Sequence, residues 1–216
     1  HAEGLAERTG MLVVAPEFPR ATYPGWRYNR GGVADDANVV QPPATWTYNL
    51  VPKIVDAVRR AEGKPLPWIG IGHSAGGQFV VRMAAFADHG AERLVAANPG
   101  SLLFPRTDWT FGYGFGGLGQ PYEGEAWTRR YLRQPLTVYQ GTADDRPDED
   151  LDVSFEANRQ GPARYQRGQA AFVYARSLAA SKGWPFAWRL VTAGGVPHDH
   201  EKMFAHPAVM RALGLR

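Results

Sequence analysis

What the 216-residue chain lacks narrows its chemistry first. It has no cysteine, which excludes disulfides, thiolate metal sites and a cysteine nucleophile, but does not separate cytosol from periplasm or medium. No apolar run approaches the ~18 residues of a membrane span. The longest candidates, such as Met11 to Ala15, are strand-sized, so no membrane span is expected. No basic stretch is dense enough to follow a phosphate backbone: the formal charge of +3 is the balance of 24 basic and 21 acidic residues. The arginines are scattered, and no nucleic-acid partner is expected. The start, HAEGLAERTG, has no positive n-region, no apolar h-region and no initiating methionine, so an upstream segment is expected to have been removed. Serine is scarce, with five in the whole chain, which makes the setting of any one of them informative.

What is present is 44% hydrophobic and 12% aromatic, enough for one substantial core. No composition break suggests a second, and one domain over residues 1–216 is expected. Residues 1–8 read as helical, and MLVVA (11–15) reads as a buried strand ended by Pro16. Residues 16–46, rich in proline, glycine and asparagine, read as a long ordered excursion. From Trp46, apolar residues recur at Leu50, Val51, Ile54, Val55 and Val58, the spacing of an amphipathic helix with Pro52 in its first turn. WIGIG (68–72) is the next expected strand, and 75–87 the next helix. LVAAN (94–98), LTVYQ (136–140) and FAWRLVT (186–192) follow as strands, with helices over 165–180 and 203–213. Short continuous apolar strands alternating with helices predict an α/β fold, a mostly parallel sheet with helices on both faces.

Gly72-His73-Ser74-Ala75-Gly76 fits G-x-S-x-G, in which a strand turns sharply into a helix and lifts a serine hydroxyl above the sheet edge. Bulky residues two positions to either side are expected to collide with the turn. By chance such a match should occur roughly 0.07 times in this chain, and the strand before and helix after supply the required context. The competing reading is a glycine-rich phosphate turn: Gly70, Gly72 and Ala75 fit the permissive dinucleotide frame. It fails for want of an acidic residue ending a strand about twenty positions on, because Asp88 and Glu92 precede the next strand. No cofactor is expected.

A serine hydroxyl needs a base in hydrogen-bond reach, and the base needs an orienting carboxylate. On such a sheet the order is Ser, then Asp or Glu, then His, each on a loop after a strand. Asp144 lies just beyond LTVYQ and His198 just beyond FAWRLVT. Asp145, Asp148, Asp150 and Asp152 crowd the same loop, farther from the strand end, and His200 is the rival of His198. DEDLD (148–152) imitates the start of a calcium loop, but Val153 replaces the turn glycine and Arg159 stands where a bidentate Glu is needed. His198-x-His200 has too few partners for zinc. No metal is expected.

The stretches LVVAPEFP, WRYNRGG, PPATWTYNLVPKIVDAVRR, GHSAGGQFVVRM, LTVYQGTADD, RQGPARYQRGQAAF and VPHDHEKMF cover most of residues 12–204. Through them the chain resembles the α/β-hydrolase superfamily, and within it bacterial serine esterases similar to polyhydroxyalkanoate depolymerases. The resemblance implies Ser74, Asp144 and His198 as a catalytic triad, and cleavage of small or polymeric carboxylic esters. Amide or carbon–carbon bond hydrolysis on the same triad, or a non-catalytic binding module, are the alternatives. Pro197 departs from the pattern, since related sequences generally carry glycine before the histidine.

The superfamily has eight strands, and the five expected here correspond to its fourth to eighth. Upstream sequence is therefore expected to complete the sheet beside WIGIG. One oxyanion donor is expected from the amide of Ala75, and its partner from the loop after the third strand, upstream of His1. Between the strands ending at Asn98 and starting at Leu136, an aromatic-rich excursion (98–133) is expected to overhang the nucleophile as a lid. Phe111 and Tyr113, with Trp26 and Tyr28, are expected to wall an apolar substrate pocket.

Overall fold

A computed structural model describes residues 3–215. The first two residues of the helix expected over 1–8 lie outside the described residues. In chain order the helices are α1 (Glu3–Thr9), α2 (Gly25–Tyr28), α3 (Leu50–Glu62), α4 (Ala75–Phe86), α5 (Glu125–Leu132), α6 (Phe155–Asn158), α7 (Arg164–Lys182), α8 (His200–Ala205) and α9 (Ala208–Leu213). The strands are β1 (Ile69–His73), β2 (Arg93–Ala97), β3 (Leu136–Gly141) and β4 (Arg189–Ala193). They form one parallel sheet in the order β1-β2-β3-β4. Among the described residues no helix is long and apolar enough to cross a membrane.

Side chains alternate between the two faces of a strand, and β2 shows how the core divides. Leu94 and Ala96 face α4, α7 and the excursion, in a cluster with Phe79, Met83, Phe86, Leu136 and Val138. Val95 and Ala97 face the other way, packing with Tyr139, Ala193, Met203, Val209, Leu213 and Leu5. The α4 helix lies close to β2 because Gly77 has no side chain: a Cβ there would stand 2.8 Å from the Ala97 carbonyl oxygen.

The two irregular stretches are held by rings and guanidinium groups rather than by regular hydrogen-bond ladders. Phe86 is the hub of the first device, with Trp46, Phe111, Phe115, Tyr122 and Trp127 all within 6.2 Å between ring centroids. Buried arginines supply the second. Arg167 donates to the carbonyls of Gly161 (2.8 Å), Gly100 (2.7 Å) and Asp152 (2.8 Å), and Arg82 to Ser101 Oγ (3.0 Å) and the Gly112 carbonyl. A loop carbonyl taken out of water must find a donor, and one planar fork can serve several at once.

Four sequence expectations need correction. MLVVA forms no strand: Met11, Leu12, Val13 and Val14 are 38–61% exposed, and residues 11–15 lie in none of the strands. A continuous apolar run becomes a buried strand only where another strand offers it a ladder, and β1 pairs with β2 alone. The helix expected from Trp46 starts at Leu50, because Trp46 is still extended (φ −65°, ψ 135°) between two short 3-10 turns. The last strand starts at Arg189 rather than 186, since Ala187 N–H and Trp188 Nε1 are taken up by carbonyls of α5, those of Leu132 and Tyr131. The terminal helix is two helices. Pro207 forces His206 into an extended conformation (φ −65°, ψ 137°), ending α8 before α9 begins.

Candidate active site

β1 delivers the chain to Ser74, where strand becomes helix without an intervening loop. Ser74 adopts φ 54° and ψ −116°, a conformation that costs a non-glycine residue on the order of 1–3 kcal/mol. Its neighbours hold it there: Ser74 N–H donates to the Ala97 carbonyl (3.0 Å), and Gln78 N–H donates to the Ser74 carbonyl (3.0 Å). The turn demands glycine at 72, where a Cβ would lie 2.3 Å from the Gly76 carbonyl oxygen. Gly76 differs from expectation, because a Cβ there meets only the Tyr28 hydroxyl, at an ordinary 3.5 Å.

The loops after β3 and β4 meet over this turn. Asp144, 3% exposed, is fixed through its backbone: its N–H donates to Gly141 O (3.2 Å), and its carbonyl accepts from Tyr165 N–H (3.0 Å) at the start of α7. His198 comes from the loop after β4, which is tied to the β3 loop by Ala143 N–H on the Val196 carbonyl (3.0 Å). His198 Nδ1 lies 2.7 Å from Asp144 Oδ2, and His198 Nε2 lies 3.0 Å from Ser74 Oγ. A carboxylate only accepts, so Nδ1 carries the proton of the neutral ring and Nε2 accepts from the hydroxyl. An alcohol hydrogen-bonded to an imidazole that is anchored on a carboxylate can lose its proton as it attacks an electrophile.

The solved structure of LpqC, a poly(3-hydroxybutyrate) depolymerase from Bordetella parapertussis, superposes with a TM-score of 0.87 at 33% identity, covering 97% of this chain and 71% of that one. The chain belongs to the α/β-hydrolase superfamily. Poly(aspartic acid) hydrolase-1 from Sphingomonas sp. KT-1 is similar at a TM-score of 0.80 and 33% identity, over 87% of this chain and 72% of that one. No family model and no curated protein matches the sequence.

In this hydrolase the other titratable groups of the β1, β3 and β4 ends take distinct places. His200 opens α8, and the side chain of Asp199 caps that helix by accepting from Lys202 N–H (3.0 Å). His73 stacks against His198 with ring centroids 4.6 Å apart and stands 6.0 Å from His200. Burial, reinforced by the charges of His198 and His200, pushes His73 down to about 4, and its Nε2 is buried with no hydrogen-bond partner among the described residues. Asp148 does not join the histidine. It receives both terminal nitrogens of Arg164, at 2.6 and 2.8 Å, and these hydrogen bonds hold its carboxyl below the usual carboxylate range.

The residues expected to wall a pocket are dispersed. Tyr28 is half-buried against Phe79, ring centroids 5.3 Å apart, one turn beyond Ser74 on α4. Trp26 lies beneath the Arg27 guanidinium, 5.7 Å from its carbon. Phe111 is 1% exposed and belongs to the core, and the Tyr113 hydroxyl is taken by Asp152 at 2.5 Å. Phe104, Trp109 and Phe115 of the 98–133 excursion are likewise buried.

Two residues bear on the site that sequence reasoning passed over. Asn98, read as the end of a strand, sits at φ 41° just past β2. Its Oδ1 accepts from Gly141 N–H (2.7 Å) and its Nδ2 donates to the Pro197 carbonyl (3.4 Å), joining the β3 and β4 loops. A polar residue ending an otherwise apolar strand was the available signal. Arg164, 1% exposed, also donates to Asp144 Oδ1 at 3.3 Å. Nothing in the sequence distinguishes it from a solvated arginine at a helix start.

Proposed function

We propose that the protein is a serine hydrolase of carboxylic esters, with Ser74 as nucleophile, His198 as general base and acid, and Asp144 as the group that orients His198 and stabilises its imidazolium. The unbroken chain of two hydrogen bonds from Asp144 through His198 to Ser74, 2.7 and 3.0 Å long, carries this reading. As Ser74 Oγ bonds to the acyl carbon, its proton passes to His198 Nε2 and the carbonyl electron pair moves onto oxygen. The backbone N–H of Ala75, at the start of α4, is one donor to that oxyanion. Collapse of the tetrahedral adduct breaks the bond to the alcohol oxygen, which takes the proton from His198. Water, deprotonated by the same imidazole, then releases the acid and restores Ser74. Residues 1–216 act in this as one hydrolase domain, with the 98–133 excursion as its roof.

Hydroxyacyl or polyester substrates are favoured, since one structural neighbour is a poly(3-hydroxybutyrate) depolymerase. The second reading is amide hydrolysis on the same groups, favoured by the likeness to a poly(aspartic acid) hydrolase, whose named polymer is amide-linked. A fluorophosphonate probe should label the protein, and Ser74→Ala should abolish the labelling. A protein that does not label is a binding module with a hydrolase fold. p-Nitrophenyl esters of graded chain length, set against the matching anilides, separate ester from amide cleavage.

A further inference from the structure

The guanidinium of Arg164 touches the proposed triad without touching Ser74 or His198. It lies at the first turn of α7, is 1% exposed, and forks between two carboxylates of the β3 loop. Nη1 reaches Asp144 Oδ1 at 3.3 Å and Asp148 Oδ2 at 2.6 Å, while Nη2 reaches Asp148 Oδ1 at 2.8 Å. Asp144 therefore has one oxygen on His198 and the other on a cation. Burial works against the Arg164 charge, but its hydrogen bonds to Asp148 and the charges of both carboxylates raise its proton affinity above the ordinary arginine value. The cation is permanent.

We propose that Arg164 is a positioning residue: with Asp148 as its counter-ion it fixes the rotation of Asp144 and sets the acidity below which His198 ceases to act as a base. The inference rests on the reading of Ser74, His198 and Asp144 as the catalytic groups. Asp144 alone would project a full negative charge onto the imidazole and favour its protonated form. Arg164 offsets part of that charge, so the ring stays neutral, and able to take the serine proton, in more acidic solution. Asp148 moderates the offset. Other titratable groups lie around His198. His73 of β1 stacks on its ring, and His200 of α8 bears on the same cluster through His73. Asp199 beside it is paired with Lys202 at 3.4 Å on the surface. Among the described groups, Arg164 is the cation that meets Asp144.

The two partners make opposite predictions, which a merely structural role would not. The readout is the pH dependence of kcat/KM on p-nitrophenyl acetate, with fluorophosphonate labelling of the same preparations. Arg164→Met leaves the charge of Asp144 on the imidazole, and that of Asp148 close by, with no cation to offset them, and the midpoint of the acid limb should rise by about half to one pH unit. Asp148→Asn leaves the guanidinium with Asp144 as its remaining carboxylate, so more of the Asp144 charge is offset and the midpoint should fall, by less because Asp148 is 39% exposed. Arg164→Lys keeps the charge and loses the fork, so kcat should fall while the midpoint stays within a few tenths of wild type. Midpoints that do not move, or that move in the same direction in Arg164→Met and Asp148→Asn, overturn the proposal. If Arg164→Met fails to fold, Asp148→Asn decides alone: a downward shift supports the proposal and an unmoved limb overturns it. Wild-type protein that does not label, or labelling that survives Ser74→Ala, instead rejects the catalytic reading itself.

Discussion

Replacing His73 by phenylalanine should remove much of the protein's sensitivity to acid. In the folded chain burial pushes this imidazole from 6.5 down to about 4, while in the unfolded chain it titrates near its ordinary value. Between those two values the unfolded state binds the proton and the folded state does not, so stability falls as the pH drops through this window. A difference of about 2.5 units, at 1.36 kcal/mol per unit, gives a loss of about 2 kcal/mol by pH 5 and about 3 kcal/mol by pH 4 relative to pH 7. Phenylalanine keeps a flat ring against His198 and gives up no hydrogen bond at Nε2 to any of the described residues. Urea unfolding at pH 7, 6, 5 and 4 on both proteins isolates the term, because carboxylates and the remaining histidines contribute to both and largely cancel in the difference. The variant should gain on wild type by about 2 kcal/mol between pH 7 and 5. Parallel stability curves would refute the reasoning, and would mean that His73 is already charged in the native protein or never desolvated.

Two further outcomes follow from packing. Phe86→Ala should cost about 3–5 kcal/mol in chemical denaturation, because it empties the centre of five ring contacts; Phe155→Ala, at a ring 74% exposed, should stay within about 0.5 kcal/mol. Gly72→Ala drives a methyl group to 2.3 Å from the Gly76 carbonyl. It should lower stability by at least about 2 kcal/mol and suppress fluorophosphonate labelling of the protein that remains folded, whereas Gly76→Ala should leave both near wild type.

The parts of this fold legible in the sequence are those where local pattern and tertiary role coincide. LVAAN and LTVYQ are short apolar runs buried on both faces in the sheet, WIGIG runs half-buried along its edge, and Ser74, Asp144 and His198 follow β1, β3 and β4. Sequence pattern places strands and loops there because a parallel sheet fixes where its loops emerge. It fails where pairing rather than composition decides: MLVVA has the composition of a strand and no ladder to join. Trp188 looks like a strand residue but spends its indole N–H on α5. Phe111 and Tyr113 illustrate a different limit, since an aromatic in a glycine-rich loop reads the same whether it faces a substrate or the core. Arg164 was invisible, and Asn98 marked only by its polarity at a strand end, because their roles lie in partners 20 and 43 residues away, and no periodicity registers such a distance.

The backbone at Ser74 carries a last implication. A glycine would accept its dihedral angles at no steric cost, so the presence of any side chain there is a small burden on folding. On the proposed role of Ser74 as nucleophile, reactivity and durability pull in opposite directions at one residue. Selection for heat resistance alone would be expected to erode the alcohol first, and a sturdier descendant that has lost it would retain the architecture without the chemistry.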